Sequence, residues 1–212
     1  MPFASLWLAP RLPQFARLHP DVDLRVAASN NVMNLEREHV DLAIRWMPPG
    51  AAPERGEHVA VERVLPVCAP ALLADPARPL VTPADLAHHV LLQFEPDRMS
   101  APWLDWTQWL EDRAIALAGS AGTVRFSHYD QVIQAAIDGS GVALGRLPLV
   151  TRHLLNGLLV APLGRDAVAE GGAFFLVAAA DAEERPEVRA FSAWVADELQ
   201  REAASGAVPR GR

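Results

Sequence analysis

Apolar positions along the chain follow two spacings, and their alternation predicts repeated strand and helix units. Val22–Val26 alternates apolar and polar side chains, which is typical of a half-buried strand. A spacing of three to four predicts one helix near residues 10–18 and a final helix from Pro186 to about Leu199. A further helix is expected from Ser127 to Ile137, because the glycines that follow at 139–141 stop it.

Further segments between these helices predict strands, the last of them long and apolar. They lie at residues 41–46, about 58–68, 90–94, 123–126, 142–144, 158–160 and 173–179. Strands that alternate with helices favour an α/β fold with a mainly parallel sheet and helices on both faces. The two longest runs, near 62–68 and 173–180, are long enough to cross between two lobes.

Three polar segments carry helix-start signals. Thr82–Asp85 combines a threonine cap, a proline at the first helical position and an acid at the third. Ser29–Asn31 is predicted as a turn that caps a short helix over 35–38. Ser127 with Asp130 resembles a capping box. The two residues either only cap a helix or cap it and also contact a ligand.

Composition and charge narrow the function classes. The chain has 212 residues, half of them apolar, which suits one domain or two small lobes. The formal charge of −7 argues against a broad surface for nucleic-acid phosphates. All 19 basic residues are arginines, so lysine Schiff-base and P-loop chemistry are excluded. Cys68 is the single cysteine, which excludes an intrachain disulfide. We interpret it as a buried, inert thiol in preference to an oxidant sensor.

Catalytic and metal motifs do not emerge from the sequence. His88, His89 and His128 lack acidic partners at metal-ligand spacing, and no HExxH segment is present. Ser127, His128 and Asp130 have the residue types of a catalytic triad, but neighbours at a helix start cannot form its chain of hydrogen bonds. The glycines at 139–145 precede a strand, unlike a dinucleotide-binding loop. We therefore expect no catalytic residue, metal or cofactor.

Several segments, in order and over nearly the whole chain, resemble the effector-binding domain of LysR-type transcriptional regulators. The similar segments are Phe3–Leu12 with Phe15 and His19–Val22, Glu38–Arg45, Leu65–Leu73, Pro83–Leu86 and Gln134–Arg146. Glu38–Arg45 matches the family's EG-x-DLAIR segment with His39 in place of the usual glycine. Trp7 and the VALGR segment ending at Arg146 resemble the branch that contains the glycine-cleavage-system regulator.

The resemblance implies a two-lobe periplasmic-binding-protein-like (type 2) fold with a central mixed sheet in each lobe. Lobe I is expected over 1–65 plus 176–203, lobe II over 66–175, and a disordered tail over 204–212. The family opens this domain with a central strand just before Phe3, and its absence here is expected to expose a strand edge. The family's winged helix-turn-helix is also absent, so we expect Met1 to be an internal methionine of a longer reading frame, or the gene to be a fragment.

Ligands of open α/β sheets bind beyond the carboxyl ends of the strands, which selects the candidate effector-binding residues. They are Phe3, Ser5, Ser29, Asn30, Arg45, Trp46, Phe94, Ser127, His128 and Tyr129. Arg45 has the geometry to bind a carboxylate with two hydrogen bonds; its alternative is a salt bridge to Glu36 or Asp41. Trp46 and Phe94 are either walls of an apolar pocket or ordinary core aromatics.

The favoured function is a ligand-sensing domain of a LysR-family transcriptional regulator. A small metabolite, an amino acid or organic acid, is expected in the cleft between the lobes, where it sets the geometry of a DNA-bound dimer or tetramer. DNA contacts are expected only through a helix-turn-helix outside this chain. With neither a signal peptide nor an apolar run of membrane-spanning length, the expected location is the cytoplasm. The alternatives are a transporter's solute-binding protein, a truncated fragment that does not bind DNA, and an enzyme on the same fold.

Overall fold

A computed structural model describes residues 2–29, 34–96, 102–117, 119, 121–164 and 169–204. Its strands are β1 (Leu42–Met47), β2 (Glu57–Val67), β3 (Leu91–Phe94), β4 (Thr123–Phe126), β5 (Val142–Leu147) and β6 (Ala169–Ala178). Its α-helices are α1 (Leu12–Leu18), α2 (Trp106–Glu111), α3 (Tyr129–Ile137), α4 (Thr151–Leu155) and α5 (Pro186–Ala204). A π-helical segment spans Phe3–Leu8, and short 3₁₀ helices span Pro70–Ala74, Pro83–His88 and Pro102–Leu104.

The six strands form a mixed sheet in the order β1-β6-β2-β5-β3-β4. β3 runs parallel to β4 and β5, whereas the β1–β6 and β2–β5 pairs are antiparallel. The expectation of a mainly parallel sheet is therefore wrong for these two pairs, because β2 and β6 are long crossover strands rather than members of repeated strand–helix–strand units. The mixed α/β fold implied by the family resemblance is confirmed.

The chain divides into two compact units, and β2 and β6 continue from one into the other. Unit 1 runs to Glu62 and resumes at Gly171, and unit 2 runs from Arg63 to Glu170. These divisions lie a few residues from the boundaries expected at 65 and 176. The α5 helix extends to Ala204, and residues 205–212 of the expected tail lie outside the described residues. Within the described residues, no helix is both long and apolar enough to cross a membrane.

Unit 1 is held together at its start by contacts between the first helical segments and α5. Phe15 is fully buried and meets the ring of Phe191 edge-on, with 4.9 Å between the ring centroids. The Trp7 indole donates a hydrogen bond of 2.9 Å to the Glu202 carboxylate, which also forms a largely buried ion pair with Arg11. Apolar packing and this polar contact together fix the start of the chain against its last helix.

The predicted helix caps at Thr82 and Ser127 can be compared with the helix starts in the structure. Thr82 and Asp85 form the predicted capping box, with Asp85 accepting hydrogen bonds from the backbone N–H groups of Val81 and Thr82. These bonds hold the pKa of the Asp85 carboxyl below its usual range. The capping box predicted at Ser127 is wrong, because α3 begins at Tyr129 after the N-cap residue His128, with no side-chain cap bond.

Two elements expected near the start of the chain do not form. The segment Val22–Val26 is not a strand, and most of residues 21–28 are exposed to solvent. A lone extended segment has no ladder of hydrogen bonds to stabilise it, and within the described residues no strand lies beside this one. Residues 35–39 form turns instead of the short helix, with the Asn34 side chain accepting a hydrogen bond from the Arg37 backbone N–H at 2.8 Å.

The strand β1 lies at the edge of the sheet and pairs only with β6 among the described strands. The Ala179 N–H donates to the Asp41 carbonyl at 2.9 Å, so the register directs the backbone groups of alternate residues, Ala43 among them, toward β6. The N–H and C=O groups of Leu42 and Ile44 consequently point away from β6.

This geometry predicts a difference in amide hydrogen exchange along β1. The Leu42 and Ile44 amides should exchange about ten times faster than the Ala43 amide, because only Ala43 donates into the sheet. Residue-resolved hydrogen exchange measured by NMR checks this, with Ala43 as the internal control. Equal protection of Leu42 and Ala43 would show that another segment pairs with this edge.

Candidate functional site

A cavity of about 1150 Å³ lies within unit 1, against β1. Its lining includes the whole of β1, the irregular segment 22–29 and the start of the π-helical segment. Four of the predicted effector-binding residues line it, namely Phe3, Ser29, Arg45 and Trp46. The cavity therefore borders four of the ten predicted site residues.

The aromatic side of the cavity is built from Phe3 and Trp46. Phe3 is largely buried and contacts Trp7 and Phe174, with ring centroids 4.8 and 5.1 Å apart. Phe3 opens the π-helical segment, which anchors its ring in the core. Trp46 lies on β1 opposite Phe174, so the two rings flank the same part of the sheet.

The polar side of the cavity includes Arg45, which is half-buried on β1. Asp41, one of the two acids considered as its local partner, forms an ion pair of 2.8 Å with Arg185. Glu36, the other acid, also lines the cavity. A guanidinium at this position is suited to a ligand carboxylate, because two parallel N–H donors match its two oxygens.

The sequence predicts two further effector-binding residues in this part of the chain, Ser5 and Asn30. Ser5 is exposed, its hydroxyl donates to the Pro2 carbonyl at 3.3 Å, and it is not among the residues that line the cavity. Ser5 lies in the middle of the π-helical segment, where its side chain is exposed to solvent rather than to the cavity. Asn30 lies outside the described residues, so the candidate site there is represented by Ser29 alone.

Unit 2 contains a second cluster at the carboxyl ends of β3 and β5. The Phe94 and Tyr129 rings meet edge-on with centroids 5.7 Å apart. The buried Tyr129 hydroxyl donates to the Leu144 carbonyl at 3.0 Å and accepts from the Arg146 backbone N–H at 2.8 Å. The Arg146 guanidinium lies over the Tyr129 ring, 5.3 Å from its centroid. Tyr129 thus ties α3 to β5.

Arg146 belongs to this cluster, but the set of candidates selected from the sequence leaves it out. It is largely buried, and it stacks on a residue that the set includes. The available signal was the position of Arg146 near the end of a predicted strand after Gly145, but the sequence did not show which way its side chain points. Ser127 and His128, which precede Tyr129, are exposed, and their Oγ and Nδ1 atoms lie 2.9 Å apart.

The titratable groups at these sites do not form a metal centre in the part of the chain that the structure describes. No group of three or more His, Cys, Asp or Glu side chains lies close enough there to hold a metal ion. Cys68 is buried, and burial raises the pKa of its thiol to about 12. This agrees with the interpretation of Cys68 as an inert core thiol.

The raised pKa predicts that Cys68 resists thiol reagents in the folded protein. At pH 8 the neutral thiol dominates, because the thiolate forms only as the pH approaches a pKa of about 12. Labelling by a disulfide reagent should be at least about a hundred times slower in buffer than in denaturant, where an ordinary cysteine pKa near 8.5 applies. Similar rates in the two conditions would place the thiol at an accessible site.

Comparison with known proteins decides the family. The model of the LysR substrate binding domain matches residues 1–200. The chain belongs to this family. It is 35% identical over 193 residues to the glycine cleavage system transcriptional activator of Escherichia coli strain K12. The aligned segment covers 91% of this chain and 61% of that protein. It is 31% identical over 203 residues to the HTH-type transcriptional regulator DsdC of the same strain, covering 93% and 63%.

A solved structure supports the same conclusion for this LysR substrate-binding domain. The effector domain of the transcriptional regulator AmpR of Pseudomonas aeruginosa matches with a TM-score of 0.68 and 26% identity, over 97% of this chain and 94% of that domain. The curated relatives are named as transcription regulators rather than enzymes. The chain spans somewhat less than two thirds of the length of each of these two curated relatives.

Proposed function

We propose that this LysR substrate-binding domain senses a small molecule as part of a transcription regulator. The match of the family model over residues 1–200 carries the proposal. The cavity of unit 1 supports it, because Phe3, Ser29, Arg45 and Trp46 border one space of about 1150 Å³. A space of this size suits a small-molecule ligand.

The proposed ligand is an amino acid or a small organic acid. Arg45 binds its carboxylate from one face of the edge strand β1, and Trp46 and Phe3 offer apolar surface on the other side of that edge. Ser29 contributes a polar contact from the cavity lining, and Asn30, which lies outside the described residues, stays in the proposed set. The name of the Escherichia coli relative refers to glycine cleavage, so glycine is the first compound to test.

In unit 2 the proposed contacts are Phe94, Ser127, His128 and Tyr129. Ser127 and His128 are exposed and carry polar atoms suited to a ligand. Tyr129 and Phe94 are the proposed aromatic contacts beside them. The Tyr129 hydroxyl is already hydrogen-bonded to backbone groups of β5. Ser5 also stays in the proposed set of ligand contacts, although it does not line the cavity.

The proposed mechanism is a shift between arrangements of an oligomer. A ligand that binds one arrangement more tightly than another increases the population of the first, by an amount set by the difference in affinity. The domain makes no DNA contact in this proposal; a helix-turn-helix outside this chain does so. A regulator that acts on DNA in this way works in the cytoplasm of a bacterial cell.

Ligand-dependent stabilisation tests the proposal. Glycine, other amino acids and small organic acids are each added to the protein, and its melting temperature Tm is measured. A ligand at a hundred times its Kd adds about 2.7 kcal/mol, which raises Tm by about 5–10 °C for a domain of this size. The Arg45→Met variant should bind the active compound about ten to a hundred times more weakly, since it loses a charge-assisted hydrogen bond.

Arg189→Met is the matched control, because Arg189 forms an exposed ion pair with Glu184 and does not line the cavity. It should keep the affinity of the unchanged protein. If no compound raises Tm, the proposed ligand class is wrong. If Arg45→Met and Arg189→Met bind equally well, the proposed role of Arg45 is wrong.

The proposed oligomer is a side-by-side pair, in which residues 6–18 and 22–28 of one chain contact α3 of its partner. Ala135 on α3 is half-exposed and allows close approach there, whereas Ala136 is fully buried within its own unit and is not available. Ala135→Arg should therefore weaken the pair and lower the mass measured by light scattering toward that of one chain. An unchanged mass for a folded variant would place the interface elsewhere.

A further inference from the structure

Glu62 on β2 is a completely buried acid close to the proposed ligand site. Burying a carboxyl group away from water is costly unless hydrogen bonds replace those it made with solvent. The Trp46 indole N–H donates a hydrogen bond of 3.1 Å to the Glu62 Oε2 atom. Glu62 itself does not line the cavity, whereas Trp46 does.

The two side chains meet across β6, which lies between their strands in the sheet. Gly171 and Gly172 of β6 leave the room for this contact. A Cβ atom on Gly171 would lie 2.5 Å from Glu62 Oε2, and one on Gly172 would lie 2.0 Å from the Met47 carbonyl oxygen and 2.6 Å from two ring carbons of Trp46. The bare backbone of the glycine pair therefore allows residues from β1 and β2 to touch.

The hydrogen bond fixes what Trp46 presents to the cavity. The indole N–H is the only polar group of the side chain, and Glu62 accepts it. The ring is then available to a ligand as an apolar surface, held in one orientation by a group on a neighbouring strand. Without the carboxyl, the N–H would need another acceptor, and the ring would be free to turn toward one.

We propose that Glu62 is a positioning residue that holds the Trp46 indole in the wall of the unit 1 cavity and thereby sets the affinity of the site. The Gly171–Gly172 pair is part of the same device, because it provides the space in which the two groups meet. The effect on affinity rests on the proposed function, whereas the orientation of the indole does not.

The first experiment follows the Trp46 indole N–H by NMR, with its signal assigned from the Trp46→Phe variant. Glu62→Gln retains an oxygen that accepts the hydrogen bond, and Glu62→Met replaces the carboxyl by an apolar chain of similar length. Hydrogen exchange of the Trp46 indole should remain within about three-fold of normal in Glu62→Gln and become at least about ten-fold faster in Glu62→Met. The Trp7 indole, bonded to Glu202, is the internal control for an intact fold.

Gly171→Ala provides a second variant that leaves Glu62 and Trp46 unchanged. The added methyl group meets only the Glu62 side chain among its nearest atoms, so it displaces the carboxyl without colliding with backbone. Its Trp46 indole should also exchange at least about ten-fold faster, with the Trp7 signal unaltered. An unchanged Trp46 signal in both Glu62→Met and Gly171→Ala would overturn the positioning role.

The second experiment measures the affinity of these variants for glycine, or for whichever acid stabilises the unchanged protein most. Glu62→Gln should bind within about three-fold of normal, and Glu62→Met at least about five-fold more weakly. Normal affinity in a Glu62→Met protein whose indole has lost its protection would overturn the link between position and affinity. If the unchanged protein binds none of the acids, the proposed function fails, and the NMR result still decides whether Glu62 positions Trp46.

Discussion

Strand β6 has to pair with a neighbour on each side and also leave space for their large side chains. It separates β1 from β2, and its pairing with β1 places Trp46 opposite Phe174. The glycines at 171 and 172 meet the second requirement, since a side chain at 171 would collide with Glu62, and one at 172 with Trp46 and the Met47 carbonyl. The aromatic wall of the cavity and the continuity of the sheet in unit 1 therefore depend on the same short stretch of backbone.

The other edge of β1 shows the reverse situation. The described strands include none on that side, and the segment that has the pattern of a strand, Val22–Val26, stays irregular. A pattern of alternating apolar residues specifies which face of a strand is buried, but it stabilises a strand only when a neighbour supplies hydrogen bonds. The cavity borders both this segment and the outer edge of β1.

Local signals were sufficient where the interactions are local. The periodicity of α5 and the capping box at Thr82 and Asp85 involve residues within a few positions of each other, and both were predictable. The family resemblance depended on the order of several segments, and it identified the fold beyond what periodicity allowed. The parallel-sheet expectation failed because strand direction depends on crossovers that the pattern of one segment does not contain.

The site residues were harder to predict because their contacts join distant parts of the chain. The sequence selected Trp46 and Tyr129 by their positions at strand ends and helix starts, but it gave no sign of Glu62 or of the stacking of Arg146 on Tyr129. Ser127 has the residue type of a helix cap, yet the helix starts two residues later. Side-chain direction at such points follows from strand register and helix phase, which the sequence alone does not determine.

The most direct test of the central claim is an NMR titration of the protein with the acid that stabilises it, read from the backbone and indole N–H signals. Binding in the unit 1 cavity predicts that the largest shifts occur at Ser29, along β1 and at the Trp46 indole. Little change is expected at the indole of Trp194, which lies on α5 and does not line the cavity. Shifts centred outside the cavity lining, with the signals of β1 unchanged, would contradict a ligand site in this cavity.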